Sequence, residues 1–169
     1  MDRIKQITDQ DILGTEGLSR KAPRITARGI LRNQQGLYAI MYAQDFSLYS
    51  LPGGGKEEGE DLLDTLQREL LEETGCYCDV IEPLGYVEEN RAHQDYTTIS
   101  YYFVAETHTH GQAPNLTAEE AAHGTVLCWL SFDDAYRRIT QPAHATTQRK
   151  FIQARDTAAL DAYRARFLA

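Results

Sequence analysis

The chain has 169 residues, 42% of them hydrophobic and 25% charged, which is ordinary usage for one globular domain and excludes collagen-like, coiled-coil and disordered classes. Its net charge of -8 repels nucleic acid and anionic lipid, so a polyanionic substrate needs cations to bridge it. Cys76, Cys78 and Cys128 make neither an even disulfide framework nor a paired CxxC set, and read as reduced, partly buried apolar residues.

Taken in chain order, residues 1–22 are polar and weakly patterned, and are expected to form an N-terminal arm or a short lead-in strand. They carry no apolar core of signal-peptide length, and no later segment approaches the roughly 18 apolar residues of a membrane span, so a cytoplasmic protein with no membrane partner is expected. Residues 24–31 and 37–42 gather apolar, β-branched and aromatic side chains on either side of Asn33-Gln34-Gln35-Gly36, which predicts a hairpin. A short run, 46–51, leads to a loop of Gly53, Gly54 and Gly55, and then to a helix over 61–74 with Gly75 placed just past its end. Residues 80–88 and 96–105 read as two further strands, joined by the polar segment 89–95. After a polar loop, 125–130 reads as another strand, and Ser131 with Asp134 suits the start of a short helix. The tail over 147–167 reads as a terminal helix, with Phe151, Ile152, Leu160, Tyr163 and Phe167 available to pack. Strands mixed with only two substantial helices predict an α/β or α+β sandwich in one domain, residues 1–169, and not a doubly wound sheet.

The helix over 61–74 carries the strongest chemical signal. At about 100° per residue, Glu69, Glu72 and Glu73 share one face. Leu62, Leu63, Leu66 and Leu70 cover an arc that partly overlaps the acidic one, so Glu73 falls at the margin of the buried stripe and is only half solvated. As scaffold this is a poor choice. Glu72 and Glu73 lie in the last turn, where the helix dipole disfavours negative charge, and crowding with Glu69 adds repulsion of about 0.2–0.5 kcal/mol per pair. A Mg²⁺ or Mn²⁺ ion reverses the sign of that penalty, because clustered carboxylates and phosphate oxygens complete an all-oxygen shell. Arg68 is expected to orient Glu60 or a neighbouring acid through its planar guanidinium, with an ordinary pair to Glu72 as the simpler role.

Gly54, five residues, Glu60, seven residues, Arg68-Glu69-Leu70, one residue, Glu72-Glu73, one residue and Gly75 match the Nudix box position for position, and the chain resembles a Nudix hydrolase. The matching stretch runs from Gly54 to Cys76, where Cys76 replaces the usual aliphatic residue. The resemblance implies an α/β/α sandwich around a mixed β-sheet, and hydrolysis of the pyrophosphate bond of a nucleoside diphosphate-linked compound: a nucleoside triphosphate, a dinucleoside polyphosphate or a nucleotide sugar. It further implies that Glu69, Glu72 and Glu73, assisted by the Gly53 carbonyl, hold Mg²⁺ or Mn²⁺. By the same likeness Glu60 supports Arg68 or a coordinated water. Family members differ in the general base; Glu69 is the expectation here, with Glu119 and Glu120 as distal alternatives.

Substrate contacts outside the box rest on local chemistry alone. Arg28 suits a phosphate; Tyr49, Phe46 and Tyr96 suit stacking on a base; Gly54, Gly55 and Glu120 complete the candidate set. His93, Gln94 and His123 sit in connections that border such a cleft, while His108 and His110 have no partner at zinc spacing and are assigned to a loop. The expected partner is a small nucleotide-like molecule, not nucleic acid, and a homodimer stays open. The competing reading is a Nudix-like regulatory module that binds a nucleotide or metabolite without cleaving it; its sign is loss of a box acid, and none is lost.

Overall fold

The computed structural model of the protein describes residues 1–110 and 114–169. Its centre is a mixed sheet of β1 (Arg3–Thr8), β2 (Arg24–Arg32), β3 (Tyr38–Ala43), β4 (Leu48–Ser50), β5 (Gly53–Gly55), β6 (Cys76–Arg91), β7 (Tyr96–His110) and β8 (Thr125–Leu130). The order is β1-β6-β7-β2-β3-β4, with β5 added to β2 and β8 to β3. The pairings β1 with β6 and β2 with β7 are parallel and the others antiparallel.

Successive strand residues point to opposite faces, and here both faces are covered. Ile30, Ile40, Tyr102 and Val104 face a core built with α4 (Phe132–Thr140) and α5 (Thr147–Tyr163). Their neighbours Leu31, Ala39, Phe103 and Ala105 face Leu66 and Leu70 of α2 (Leu62–Thr74). This is the expected α/β/α arrangement. The helix α2 starts where its cap chemistry dictates: Asp61 accepts from the Asp64 N–H at 2.8 Å, and Asp64 accepts from the Asp61 N–H at 3.0 Å. It stops at Gly75, whose φ of 70° and bond to the Leu71 carbonyl close the last turn. Leu63 departs from the expected stripe and is exposed, while Thr65 and Thr74 are buried in its stead.

Several local expectations are corrected. Within residues 1–22 the lead-in strand, β1, adds to β6, and it continues into a short helix that was not expected, α1 (Asp9–Leu13). Asp9 fastens that helix, accepting from the His93 N–H at 2.7 Å. The hairpin turn exists, with Asn33 Oδ1 accepting from the N–H groups of Gln35 and Leu37, but β2 and β3 pair only at Arg32 and Tyr38 before separating. The β2 strand is drawn away because its edges are taken by β7 and by β5. The three glycines therefore form a short strand rather than a loop. The β6 and β7 strands outrun their predicted limits because they pair with each other almost end to end, through bulges near Cys78, Glu82 and Gly85. That pairing carries His108 and His110 into β7, and His108 meets Asp79 at 3.2 Å. The segment before β8 contains a short helix, α3 (Ala118–Ala122), capped by Thr117 and Glu120. Among the described residues no helix is long and apolar enough to cross a membrane.

Candidate active site

A cleft of about 620 Å³ opens between β5, the acidic face of α2, α3 and α5. Its acidic wall is made by Glu69, Glu72 and Glu73, which the helical repeat brings onto one side of α2. Facing them is β5, held antiparallel to β2 through the pairs Arg28 with Gly53 and Ala27 with Gly54.

The glycines are needed for close approach. A Cβ on Gly54 would run into the Glu69 carboxylate, and one on Gly53, whose φ is 143°, would meet the Arg28 Cα at 2.6 Å. With no side chain there, the Gly53 N–H donates to Glu73 Oε2 at 2.7 Å. Burial nevertheless dominates at Glu73 and pushes its carboxyl up to about 8, against that bond and the charge of Arg28. Burial also raises Glu69, partly offset by Arg68.

Arg68 ties the wall together. Its Nε and Nη2 donate to the two Glu60 oxygens at 2.5 and 3.0 Å, Nη1 donates to Glu69 Oε1 at 2.8 Å, and Nη2 also reaches the Gly55 carbonyl at 3.0 Å. Glu60 additionally accepts from the Glu57 N–H and the Thr65 hydroxyl, and these bonds, with Arg68 the strongest, hold its carboxyl down at about 2. Glu72 stands at the end of the network, 3.5 Å from Arg68 Nη1. Its carbonyl accepts from the Asn115 N–H at 2.6 Å, which moors the segment leading to α3 and brings Glu119 and Glu120 to the cleft.

The model of the NUDIX domain family matches residues 22–154, most of the chain, with the acidic helix in its middle. The chain belongs to the Nudix family. Its enzyme class is accordingly that of the Nudix hydrolases. Among solved structures, a NUDIX hydrolase from Nitrosomonas europaea is 20% identical, with 85% of this chain and 90% of that one covered and a TM-score of 0.64. A UDP-X diphosphatase is 16% identical, covering 87% of this chain and 66% of that one, with a TM-score of 0.58. An ADP-ribose pyrophosphatase from Streptococcus suis is 17% identical, covering 86% and 95%, with a TM-score of 0.55. These likenesses concern the fold. No curated protein shows a significant match to the chain.

In this Nudix chain the cleft gathers Arg28, Gly53, Gly54, Gly55, Arg68, Glu69, Glu72, Glu73 and Glu120, with Glu60 behind Arg68. Arg28 lies across from the acids, and its Nη1 donates to the carbonyls of Leu51 at 3.3 Å and Gly53 at 3.4 Å. Glu120 caps α3 through Oε1, while its buried Oε2 has no bonding partner among the described residues. Tyr49 is not among the residues that line this cleft. Its ring stacks on Tyr42 at 4.1 Å, its hydroxyl accepts from Arg138 at 2.6 Å, and it lines a separate surface pocket beside Arg137 and Pro142. Phe46 packs on His123 instead of facing the cleft.

Sequence reasoning passed over Arg155 and Asp156. Both are buried in α5, where Arg155 Nε donates to Asp156 Oδ1 at 2.8 Å. Asp156 also accepts from the Tyr102 hydroxyl at 2.6 Å and from the Leu51 N–H at 2.9 Å, so the terminal helix positions the chain entering the glycine strand. The available signal was spacing: residues 151, 155, 158 and 159 form one helical stripe, and a charge on an otherwise apolar stripe asks for a buried partner.

Proposed function

We propose that the protein hydrolyses a pyrophosphate bond in a nucleoside diphosphate-linked substrate, with Mg²⁺ or Mn²⁺ as the cofactor. The observation that carries this reading is the contact between Gly54 and the Glu69 carboxylate, a cradle that any Cβ would fill. It sets a carboxylate wall directly against exposed backbone, where a phosphate chain can lie.

The donor chemistry suits the ion. Glu69, Glu72, Glu73 and the Gly53 carbonyl offer the hard oxygens such cations select. Among the described residues no three acidic, histidine or cysteine side chains converge as they stand. Arg68 and the Gly53 N–H occupy two of the carboxylates, so loading would exchange the Arg68 bond of Glu69 for an ion contact. When bound, a divalent cation neutralises phosphate charge and makes water a better nucleophile near neutral pH.

The chain's own groups supply the rest. The Arg28 guanidinium lies where it offsets charge on a phosphate oxygen, and Arg68, clamped by Glu60, keeps the acids in register. Water attacks phosphorus, an O–P bond forms as the bridging P–O bond breaks, and the proton passes to a carboxylate. Glu69 is the first assignment for that acceptor. Glu120 is the second, favoured by its unpartnered oxygen at the cleft.

A panel of nucleoside triphosphates, nucleotide sugars including ADP-ribose and UDP-linked sugars, and dinucleoside polyphosphates, each with Mg²⁺ or Mn²⁺, tests this through product identity. Glu73→Gln is expected to lower turnover by about 100-fold or more with an unchanged circular dichroism spectrum. Near wild-type turnover by Glu73→Gln on the best substrate overturns the assignment. Comparing Glu69→Gln with Glu120→Gln at saturating metal identifies the proton acceptor by the larger fall in kcat.

A further inference from the structure

Beyond Arg28 the cleft continues into a second chamber of about 320 Å³, and Arg24, Arg28 and Arg155 line both. Arg91, from the end of β6, completes a set of four guanidinium groups there, against Glu89 as the one acid in the lining. In a chain of net charge -8 this is a strong local reversal. Like charges gathered at a half-buried surface repel, so the cluster is costly unless an anion occupies it.

The internal acids do not balance it. Glu89 accepts from Arg91 Nη2 at 2.7 Å and lies 4.0 Å from Arg155, and Asp156 holds the other side of Arg155. Arg24 and Arg28 form no ion pair with a carboxylate among the described residues; Arg28 Nη1 reaches only main-chain carbonyls. Two further donors, the buried Nε–H groups of Arg28 and Arg91, have no acceptor among the described residues. Each guanidinium brings five donors and no acceptor, so the chamber is short of acceptor oxygens. The field acts on its neighbours. Burial alone would raise the Tyr96 phenol, yet the neighbouring Thr98 and Arg24 side chains and the charges of Arg24 and Arg91 bring it below the ordinary value. Burial, and then the charge of Arg155, lowers Arg28.

We propose that this arginine chamber is a subsite for a phosphate monoester carried by the substrate at a distance from the scissile diphosphate. The enzyme therefore acts on diphosphates whose remote end is itself phosphorylated. This rests on the reading of the cleft as the diphosphate site: with the diphosphate between β5 and the acids, the remote end runs past Arg28 into the chamber. A tetrahedral phosphate oxygen set matches several guanidinium forks at once, which one carboxylate cannot.

The test uses matched diphosphates that differ by one remote phosphate, NADH with NADPH and dephospho-coenzyme A with coenzyme A. The readout is the ratio of kcat/KM within each pair. In the wild-type protein at least one pair is expected to favour the phosphorylated member by about tenfold or more, the worth of a charge-assisted guanidinium bond. That ratio is expected to fall to about one in the double variant Arg91→Met with Glu89→Gln, which removes both partners so that no buried charge is left alone. Arg24→Met, at an exposed position, is the second variant should the double variant fail to fold, and is expected to lower the ratio at least threefold, as a weaker version of the same contact. Equal rates within every pair overturn the proposal. So does an unchanged ratio in the variants, including equal losses on both members, which would assign the arginines to the diphosphate itself. If the wild-type protein cleaves none of these compounds, calorimetric affinities of the same pairs give the ratio instead. A retained preference then supports the subsite while the hydrolytic reading fails, and equal affinities overturn the subsite as well.

Discussion

Arg68 and Glu60, eight residues apart, meet in a two-pronged pair, with Nε 2.5 Å from Oε1 and Nη2 3.0 Å from Oε2. Both prongs are needed to leave Nη1 aimed at Glu69, because a planar guanidinium has one orientation once two of its edges are fixed. Arg68→Lys keeps the charge and loses the fork. It is expected to lower kcat/KM by about 10–100-fold, the usual cost of disturbing groups that orient ligands, while KM changes little. Steady-state kinetics on the best substrate from the panel measures it.

The same pair predicts an acid limb. The Glu60 carboxyl is held at about 2, below its ordinary 4.5, chiefly by Arg68. A group depressed in the folded state adds stability that is fully present above pH 4.5 and disappears as pH falls toward about 2. Glu60→Gln is therefore expected to flatten the loss of stability between these values. Urea midpoints measured across that range, wild type against variant, give the comparison.

Gly54→Ala places a methyl group against the Glu69 carboxylate. The cheap response is rotation of Glu69 away from Arg68, which spares the fold and spoils the acid wall. Activity is expected to fall by about 100-fold, with destabilisation of about 1–3 kcal/mol from overpacking. Turnover and denaturant melts on one preparation separate the two effects.

Asp156→Asn strikes the core. It leaves Arg155 buried beside a neutral amide and weakens the bonds that Tyr102 and the Leu51 N–H make to the carboxylate. A loss of about 3–5 kcal/mol is expected for breaking a buried pair from one side. Equilibrium unfolding in urea reads it, and a loss below about 1 kcal/mol would mean that the network contributes little.

Much of the candidate site was legible in the chain because helical spacing is local. The positions of Glu69, Glu72 and Glu73, the Asp61 cap and the Gly75 stop depend on residues within a few positions of each other. Tyr49 shows the limit. Its place beside the glycines suggested a substrate contact, but strand pairing turned its ring onto Tyr42 and Arg138, which lies 89 residues away in the chain. Strand ends were similarly understated, since the extra length of β6 and β7 is supported by pairing and not by composition.

By itself the sequence determined the acidic helix, its limits, the glycines that let backbone approach it, and through their spacing the family. Only the tertiary structure decided that Arg24 and Arg28 of β2, Arg91 of β6 and Arg155 of α5 line one chamber beside those acids, and that Asp156 anchors the approach to the glycine strand. The difference is one of range. A helix face follows from about 3.6 residues per turn, whereas a cluster drawn from separate strands and a distant helix exists only after sheet order and register have brought them together.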